Sequence, residues 1–204
     1  DLTKDFKIPK YTSQPKYLTQ EEIDAIEAVK PPNVYLERTR DLFIFSCYTG
    51  IPYDDIISLT YANLKKHDDV IWVEYYRRKT NMFSKVPLIE KTQKIVDKYR
   101  RHNWDTKKQR NHFLFPKISN QKINKGLKTL CEKAEIERNV TFHMARHSFS
   151  TTIALGNDIP LEYLQAMLGH SNYSTTQIYG RIVDKKLGQL MEKVDNKYKK
   201  QTPE

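Results

Sequence analysis

One segment of this chain has the dense β-branched and aromatic composition of a strand, VIWVEYY at residues 70–76. The sequence RRKTNMFSKVPL follows it and indicates a turn and a returning strand, so the two together predict a β-hairpin. Nearly all other apolar residues recur at helical spacing, without alternation of strands and helices. We therefore predict a mainly α domain with a small antiparallel β-sheet on one side, an α+β fold.

The helical patterns carry clear start and stop signals. Thr19 and Glu22 in LTQEEIDAIEAV match a capping box, and an apolar helix over residues 34–48 is predicted to stop at Gly50. Pro52 is expected in the first turn of a short helix in IPYDDIISL. Four further helices are predicted over residues 90–102, 119–136, 142–155 and 160–168, the third of them ending at Gly156.

The charge balance favours a polyanionic partner. The chain has 35 Lys and Arg against 25 Asp and Glu, which leaves a formal net charge of +10. An excess of this size is typical of nucleic-acid-binding proteins, although a lysine-rich surface on an ordinary globular protein has the same composition. Cys47 and Cys131 show no metal-binding spacing, and the sequence contains no apolar run long enough to span a bilayer. These features predict a cytoplasmic protein without a membrane segment.

The sequence TFHMARHSF, residues 141–149, concentrates cationic side chains in one predicted helix. His143, Arg146 and His147 are three and four residues apart, so they are expected along one edge, opposite Phe142 and Phe149. A guanidinium stays charged in an apolar helix and is expected to need an anion, for which phosphate is the obvious candidate. For His147 taken alone, packing in the core is favoured over a catalytic role.

A second motif follows, LGHSNYSTTQIYG. Gly169 is predicted to end a helix and to present His170 there, and Tyr179 follows in the same stretch. HMARHSF, LGHS and IYG, in this order, resemble the HxxR, GH and nucleophilic tyrosine motifs of the tyrosine recombinases, the phage and mobile-element integrase family. TGIPYDDIISLT resembles the integrases of conjugative transposons in particular.

The resemblance implies the tyrosine recombinase catalytic-domain fold and a division of the chain. Residues 1–17 would be a linker from a missing N-terminal core-binding domain, and residues 18–183 the catalytic domain. Residues 184–204 would form a C-terminal helix and tail, whose apolar stripe packs in cis or on a neighbouring subunit.

The resemblance also implies a reaction without metal, ATP or another cofactor. Tyr179 would attack a DNA phosphate and form a 3′-phosphotyrosyl bond, with Tyr173 as the alternative nucleophile. Arg146 and His170 would donate hydrogen bonds to the phosphate, and His143 would accept a proton or a hydrogen bond near the nucleophile. Lys79 would protonate the leaving 5′-oxygen.

One family position departs from the pattern. An arginine usually follows the TG that ends an early helix, whereas this chain has Pro52 there. If the hairpin strand runs through Lys79, residues two apart share a face, and Arg77 would face the site as a substitute for the missing arginine. Three further side chains are expected to bind DNA: Arg78, which would face away from the site, Lys85 and His147.

The expected partner is double-stranded DNA, and the family resemblance implies a homotetramer on that DNA. Accessory DNA-bending proteins are a further expected class of partner. The expected location is the bacterial cytoplasm. Two alternatives stay open, a catalytically impaired recombinase-like DNA-binding module and a relative of type IB topoisomerases. A metal-dependent hydrolase using His143 and His147 is disfavoured, because Met144 stands where an H-E-x-x-H site has glutamate.

Overall fold

A computed structural model of the chain describes residues 17–99 and 111–169. This part is mainly helical and carries one three-stranded antiparallel sheet, which confirms the predicted fold class. The helices are α1 (Gln20–Ala28), α2 (Val34–Thr49), α3 (Tyr53–Ile56), α4 (Glu90–Tyr99), α5 (Asn120–Lys133), α6 (Phe142–Ser148) and α7 (Leu161–Leu168). The strands are β1 (Leu64–His67), β2 (Val70–Tyr76) and β3 (Phe83–Pro87).

Helix α2 is the centre of the core. It contacts α1, α3, α4, α5 and α6, and Leu42, Phe43 and Phe45 on it are fully buried. A helix packed on so many sides needs apolar residues around its whole circumference, which the run DLFIFSCY provides. It begins where Asn33 Oδ1 accepts from the Leu36 amide at 2.9 Å, and it ends at Gly50, whose φ is +69°, as predicted.

The predicted capping box of α1 is confirmed. The Thr19 hydroxyl accepts from the Glu22 amide at 3.3 Å, and the Glu22 carboxylate accepts from the Thr19 amide at 2.8 Å. The preceding residue is held on the helical segment that continues α6, because the Leu18 amide donates to Ser148 Oγ at 2.9 Å and Thr152 donates to the Leu18 carbonyl. The start of the described chain is thus fixed against the helix of the histidine–arginine motif.

The sheet contains the predicted hairpin and a strand that the sequence did not reveal. Strand β1 pairs with β2 from Leu64 opposite Val73 to His67 opposite Val70. Its sequence LKKH is mostly exposed and has one apolar residue, so it shows no alternating pattern. Strands β2 and β3 alternate clearly, with Val73 and Val86 buried on the inner face.

The turn of the hairpin corrects the predicted placement of Lys79. Strand β2 ends at Tyr76 and β3 begins at Phe83, so residues 77–82 form the turn. This turn is closed by hydrogen bonds from the Arg77 amide to the Met82 carbonyl at 2.9 Å and from the Asn81 amide to the Arg77 carbonyl at 2.8 Å. Strand alternation does not reach Lys79, and the argument that placed Arg77 and Lys79 on one strand face was wrong.

The predicted helix over residues 142–155 is also different. Helix α6 ends at Ser148, a π-helical segment covers Phe149–Ala154, and a 3₁₀ turn covers Leu155–Asn157. The residue in the left-handed conformation is Asp158, with φ 61°, and not Gly156. The hydroxyls of Ser148 and Ser150 donate to carbonyls four residues earlier, a type of bond that competes with regular helical pairing.

Several predictions fall on residues 1–16, 100–110 and 170–204, outside the described part. They concern the linker, the end of the helix predicted over 90–102, the C-terminal helix, and the three side chains His170, Tyr173 and Tyr179. Among the described helices, none combines the length and the apolar character that crossing a membrane requires.

Gly50 provides a test of the packing at the end of α2. A Cβ there would lie 2.4 Å from Phe149 Cδ1, and the positive φ disfavours any other L-residue. We expect Gly50→Ala to lower the free energy of unfolding by about 2 kcal/mol or more, measured by denaturant titration. Gly156→Ala is the matched control, since its nearest neighbour would be the Thr151 carbonyl at 3.5 Å, and it should cost nothing. Equal losses would contradict this packing.

Candidate active site

Helix α6 presents two imidazoles at its surface. The His143 and His147 rings meet edge to face with centroids 4.7 Å apart, and their Nε2 atoms are separated by 3.1 Å. His143 is exposed and His147 is partly buried. The four-residue spacing thus brings both imidazoles to one edge, as predicted.

Arg146 was predicted on the same edge as the two histidines, but it turns inward to bind two main-chain carbonyls and is only 7% exposed. Its Nη1 donates to the Gly50 carbonyl and its Nη2 to the Leu168 carbonyl, both at 2.7 Å. These carbonyls lie at the C-terminal ends of α2 and α7, where the helix dipoles favour a cation. In this structure the Arg146 guanidinium therefore donates to two main-chain oxygens, whereas the sequence predicted that it would bind an anion.

Arg77 reaches the same point from the hairpin. Its Nη1 donates to the Leu168 carbonyl at 3.2 Å, so Arg77 and Arg146 share one acceptor. The side chain is 11% exposed and packs over Gly169, where a Cβ would lie 2.8 Å from Arg77 Cδ. The two arginines that the sequence assigned to a phosphate clamp are thus adjacent, although they come from distant elements.

Asp55 holds the hairpin arginine in place. One oxygen of this buried carboxylate lies 3.6 Å from Arg77 Nε, and the other accepts from the Arg78 amide at 2.9 Å. Helix α3 supplies Asp55, and Pro52 begins that helix as an N-cap without a side-chain hydrogen bond. The loop that carries an arginine in the family motif therefore contributes an anchoring carboxylate here, which sequence reasoning missed. The acidic pair after Pro52 was the available signal.

Lys79 and Arg78 lie exposed in the turn. The pKa of His143 is lowered from its ordinary value by partial burial and by the positive charges of Arg146 and Lys79. Burial, His143 and Arg146 lower the pKa of His147 to about 4. Both shifts favour the neutral imidazole, and a neutral imidazole can accept a proton.

Lys85 lies elsewhere. It is exposed on β3, with Nζ 5.5 Å from the centre of the Trp72 ring and paired in register with Glu74. Its neighbours Ser84 and Val86 point to the opposite, buried face of the sheet. The structure does not bring Lys85 to the two arginines, and its contact with DNA stays a prediction.

The described residues also bear on a metal site. Within residues 17–99 and 111–169, no group of three or more His, Cys, Asp or Glu side chains could hold a metal ion. His143 and His147 have no third ligand beside them in this part of the chain.

The electrostatic contact between Lys79 and His143 can be measured in the free protein. Removing a positive charge near an imidazole favours its protonated form, so Lys79→Ala should raise the pKa of His143 in a proton NMR titration. Lys85→Ala is the matched control and should leave that pKa unchanged. If the pKa of His143 responds equally to both substitutions, or does not respond to Lys79→Ala, the electrostatic contact between Lys79 and His143 is contradicted.

The stability of the fold should depend on pH through His147. The pKa of His147 is about 4 in the folded protein, below the value of 6.5 for an unperturbed imidazole. The free energy of unfolding should therefore decrease as the pH falls between these two pKa values.

Known proteins and a family model are similar to this chain in sequence. The model of the phage integrase family matches residues 16–186. The chain is 30% identical over 191 residues to tyrosine recombinase XerD of Halalkalibacterium halodurans, covering 89% of this chain and 62% of that protein. It is 29% identical over 200 residues to tyrosine recombinase XerA of Thermococcus onnurineus, covering 92% and 64%. The chain thus spans about three fifths of the length of these relatives.

Solved structures show the same fold. The XerH site-specific recombinase bound to palindromic difH substrate superposes with a TM-score of 0.68 at 18% identity, covering 88% of this chain and 53% of that one. The Tn1549 transposon integrase in complex with circular intermediate DNA gives a TM-score of 0.61 at 20% identity, covering 84% and 62%. The fold and the extent of the family match lead to one conclusion: this chain belongs to the phage integrase family.

Proposed function

We propose that this chain is the catalytic domain of a site-specific DNA recombinase, which breaks and rejoins DNA through a 3′-phosphotyrosyl intermediate without metal or ATP. The observation that carries the proposal is the meeting of Arg77 and Arg146 on the Leu168 carbonyl. The family membership supports it, because the similar XerD and XerA proteins are tyrosine recombinases.

The Leu168 carbonyl occupies the place where a phosphate oxygen would bind. Two largely buried guanidiniums face it, and Asp55 offsets one of their two charges. A pocket of this kind with a net positive charge favours the negative charge that phosphoryl transfer spreads over the non-bridging oxygens. Arg77 thereby takes the role of the arginine that Pro52 has replaced.

The remaining roles follow from the motifs and from positions along the chain. Gly169 ends α7 directly after the shared acceptor, and His170 is the next residue, so we assign His170 as a further donor to the phosphate. Tyr179 is the nucleophile. A tyrosine phenol in water has a pKa of about 10, so such a nucleophile needs a proton acceptor at neutral pH, a role that we assign to neutral His143.

Each step of the proposed reaction is balanced. The Tyr179 oxygen forms a bond to phosphorus as the bond to the 5′-oxygen breaks, the phenolic proton passes to His143, and Lys79 protonates the leaving oxygen. The reverse reaction, with a 5′-hydroxyl as nucleophile, restores the phosphodiester. The phosphotyrosyl ester keeps the energy of the original bond, so ligation needs no added energy source.

The wider assembly is also part of the proposal. Arg78, Lys85 and His147 would contact double-stranded DNA outside the clamp, and the working unit would be a homotetramer on DNA, with accessory DNA-bending proteins as further partners. The net charge of +10 supports a DNA partner and predicts binding that weakens with salt. The location would be the bacterial cytoplasm.

Covalent adduct formation tests the proposed function directly. We expect the protein to form a covalent adduct in EDTA with a pool of nicked duplexes whose central sequence is randomised, seen on a denaturing gel. Tyr179→Phe should abolish the adduct, and Tyr173→Phe should retain it. An adduct that forms with Tyr179→Phe but not with Tyr173→Phe would identify Tyr173 as the nucleophile. If the unmodified protein forms no adduct, the alternative of a catalytically impaired DNA-binding module would be favoured.

The roles of the two neighbouring arginines can be separated. Arg77→Ala should slow adduct formation by about a hundredfold or more, because it removes a cationic donor from the phosphate. Arg78→Ala is the matched control and should change the rate less than about tenfold while weakening DNA binding. The rates are measured in single-turnover reactions with saturating protein. Equal, small effects would show that Arg77 is not the replacement clamp.

A further inference from the structure

Tyr75 lies beneath the arginine pair and has no role in the reaction described so far. It is 5% exposed on the inner face of β2, opposite Ser84 of β3. The Ser84 hydroxyl donates to the carbonyl of Met167, the residue before the shared acceptor Leu168. Tyr75 therefore lies under the last turn of α7, one residue before the end of β2 and two residues before Arg77 in the turn.

The hydroxyl of Tyr75 is a buried donor that makes no hydrogen bond in the free protein. Within the described residues, Tyr75 Oη is buried and has no hydrogen-bond partner. Ser84 lies close enough to lower the pKa of Tyr75, but its hydroxyl is directed to Met167, and the two side chains do not reach hydrogen-bonding geometry. A buried polar group in this condition is destabilising, so its presence calls for an explanation.

A second buried donor in the same place is ion-paired but also makes no hydrogen bond. Arg77 Nε has no hydrogen-bond partner among the described residues, because Asp55 Oδ2 stays 3.6 Å away. One unsatisfied donor is compatible with simple packing. Two such donors, beside two guanidiniums that share a single carbonyl, mark a place that can bind a further hydrogen-bond acceptor.

Three charged groups lie near enough to Tyr75 to change its pKa. Burial raises the pKa of Tyr75 most, Arg146 and Arg77 lower it, and Asp55 raises it. The hydroxyl end of the ring is therefore within electrostatic reach of both arginines and of Asp55. A raised pKa also keeps the phenol protonated at neutral pH, as a donor must be.

We propose that Tyr75 is a further catalytic residue, whose hydroxyl donates a hydrogen bond to a non-bridging oxygen of the DNA phosphate held by Arg77 and Arg146. The inference rests on the proposed function. It assigns three donors of different origin to one phosphate: a hairpin arginine, an α6 arginine and a neutral phenol from the sheet. The phenol adds a hydrogen bond without adding a charge beside Asp55.

The test removes a single oxygen atom. Tyr75→Phe should slow single-turnover adduct formation by roughly tenfold to a hundredfold, measured on the duplex sequence recovered from the nicked pool. The thermal unfolding midpoint should stay equal or rise, since the hydroxyl has no partner to lose in the free protein. Tyr61→Phe is the matched control: this buried phenol donates to the Tyr99 carbonyl at 2.8 Å, so the midpoint should fall while the rate is unchanged.

Phosphorothioate substrates show whether Tyr75 acts on the phosphate itself. Sulfur is a poor hydrogen-bond acceptor, so the Tyr75→Phe penalty should shrink for one of the two phosphorothioate isomers at the cleaved position and persist for the other. The same penalty for both isomers would place the effect elsewhere and overturn the inference.

The remaining outcomes are also decisive. An unchanged rate for Tyr75→Phe, with an active unmodified protein, overturns the inference and leaves the proposed function intact. A lowered midpoint for Tyr75→Phe overturns it as well, because it shows that a buried water already satisfies the hydroxyl. Failure of the unmodified protein to form any adduct contradicts the proposed function instead.

Discussion

Two guanidiniums donating to one main-chain carbonyl are the interaction on which the site depends. Arg77 and Arg146 come from a hairpin and from a helix, and the Leu168 carbonyl is where they meet. Two like charges can be this close because the helix end is negative and Asp55 is buried beside Arg77. The carbonyl orients both donors in the free protein, and in the proposed function a phosphate oxygen of the DNA takes its place.

In the proposed function, the departure from the family motif at Pro52 is compensated by neighbouring residues. Pro52 starts the short helix that buries Asp55, and Asp55 binds both the Arg77 side chain and the Arg78 amide. In the proposed function, the hairpin arginine Arg77 supplies the positive charge that the loop after α2 lacks, and Asp55 of helix α3 holds that arginine in place.

Local signals in the sequence were sufficient for much of the fold. The capping box at Thr19 and the stop at Gly50 depend on a few neighbouring residues, and both were predicted correctly. Strand β1 and the π-helical segment after Ser148 depend on pairing and packing with distant elements, and neither leaves a periodic pattern. The meeting of Arg77 with Arg146 was expected for a partly wrong reason, because a turn, not strand alternation, positions the residues after Tyr76. Asp55 and Tyr75 became visible only when their burial and contacts were known.

A structure of the protein on cleavable DNA, trapped with Tyr179→Phe, tests the central claim most directly. We predict that guanidinium nitrogens of Arg77 and Arg146 both lie within hydrogen-bonding distance of the phosphate at the cleavage position, with the contacts to the Leu168 carbonyl exchanged for it. A complex in which Arg77 keeps the Leu168 carbonyl while that phosphate binds elsewhere would contradict the account.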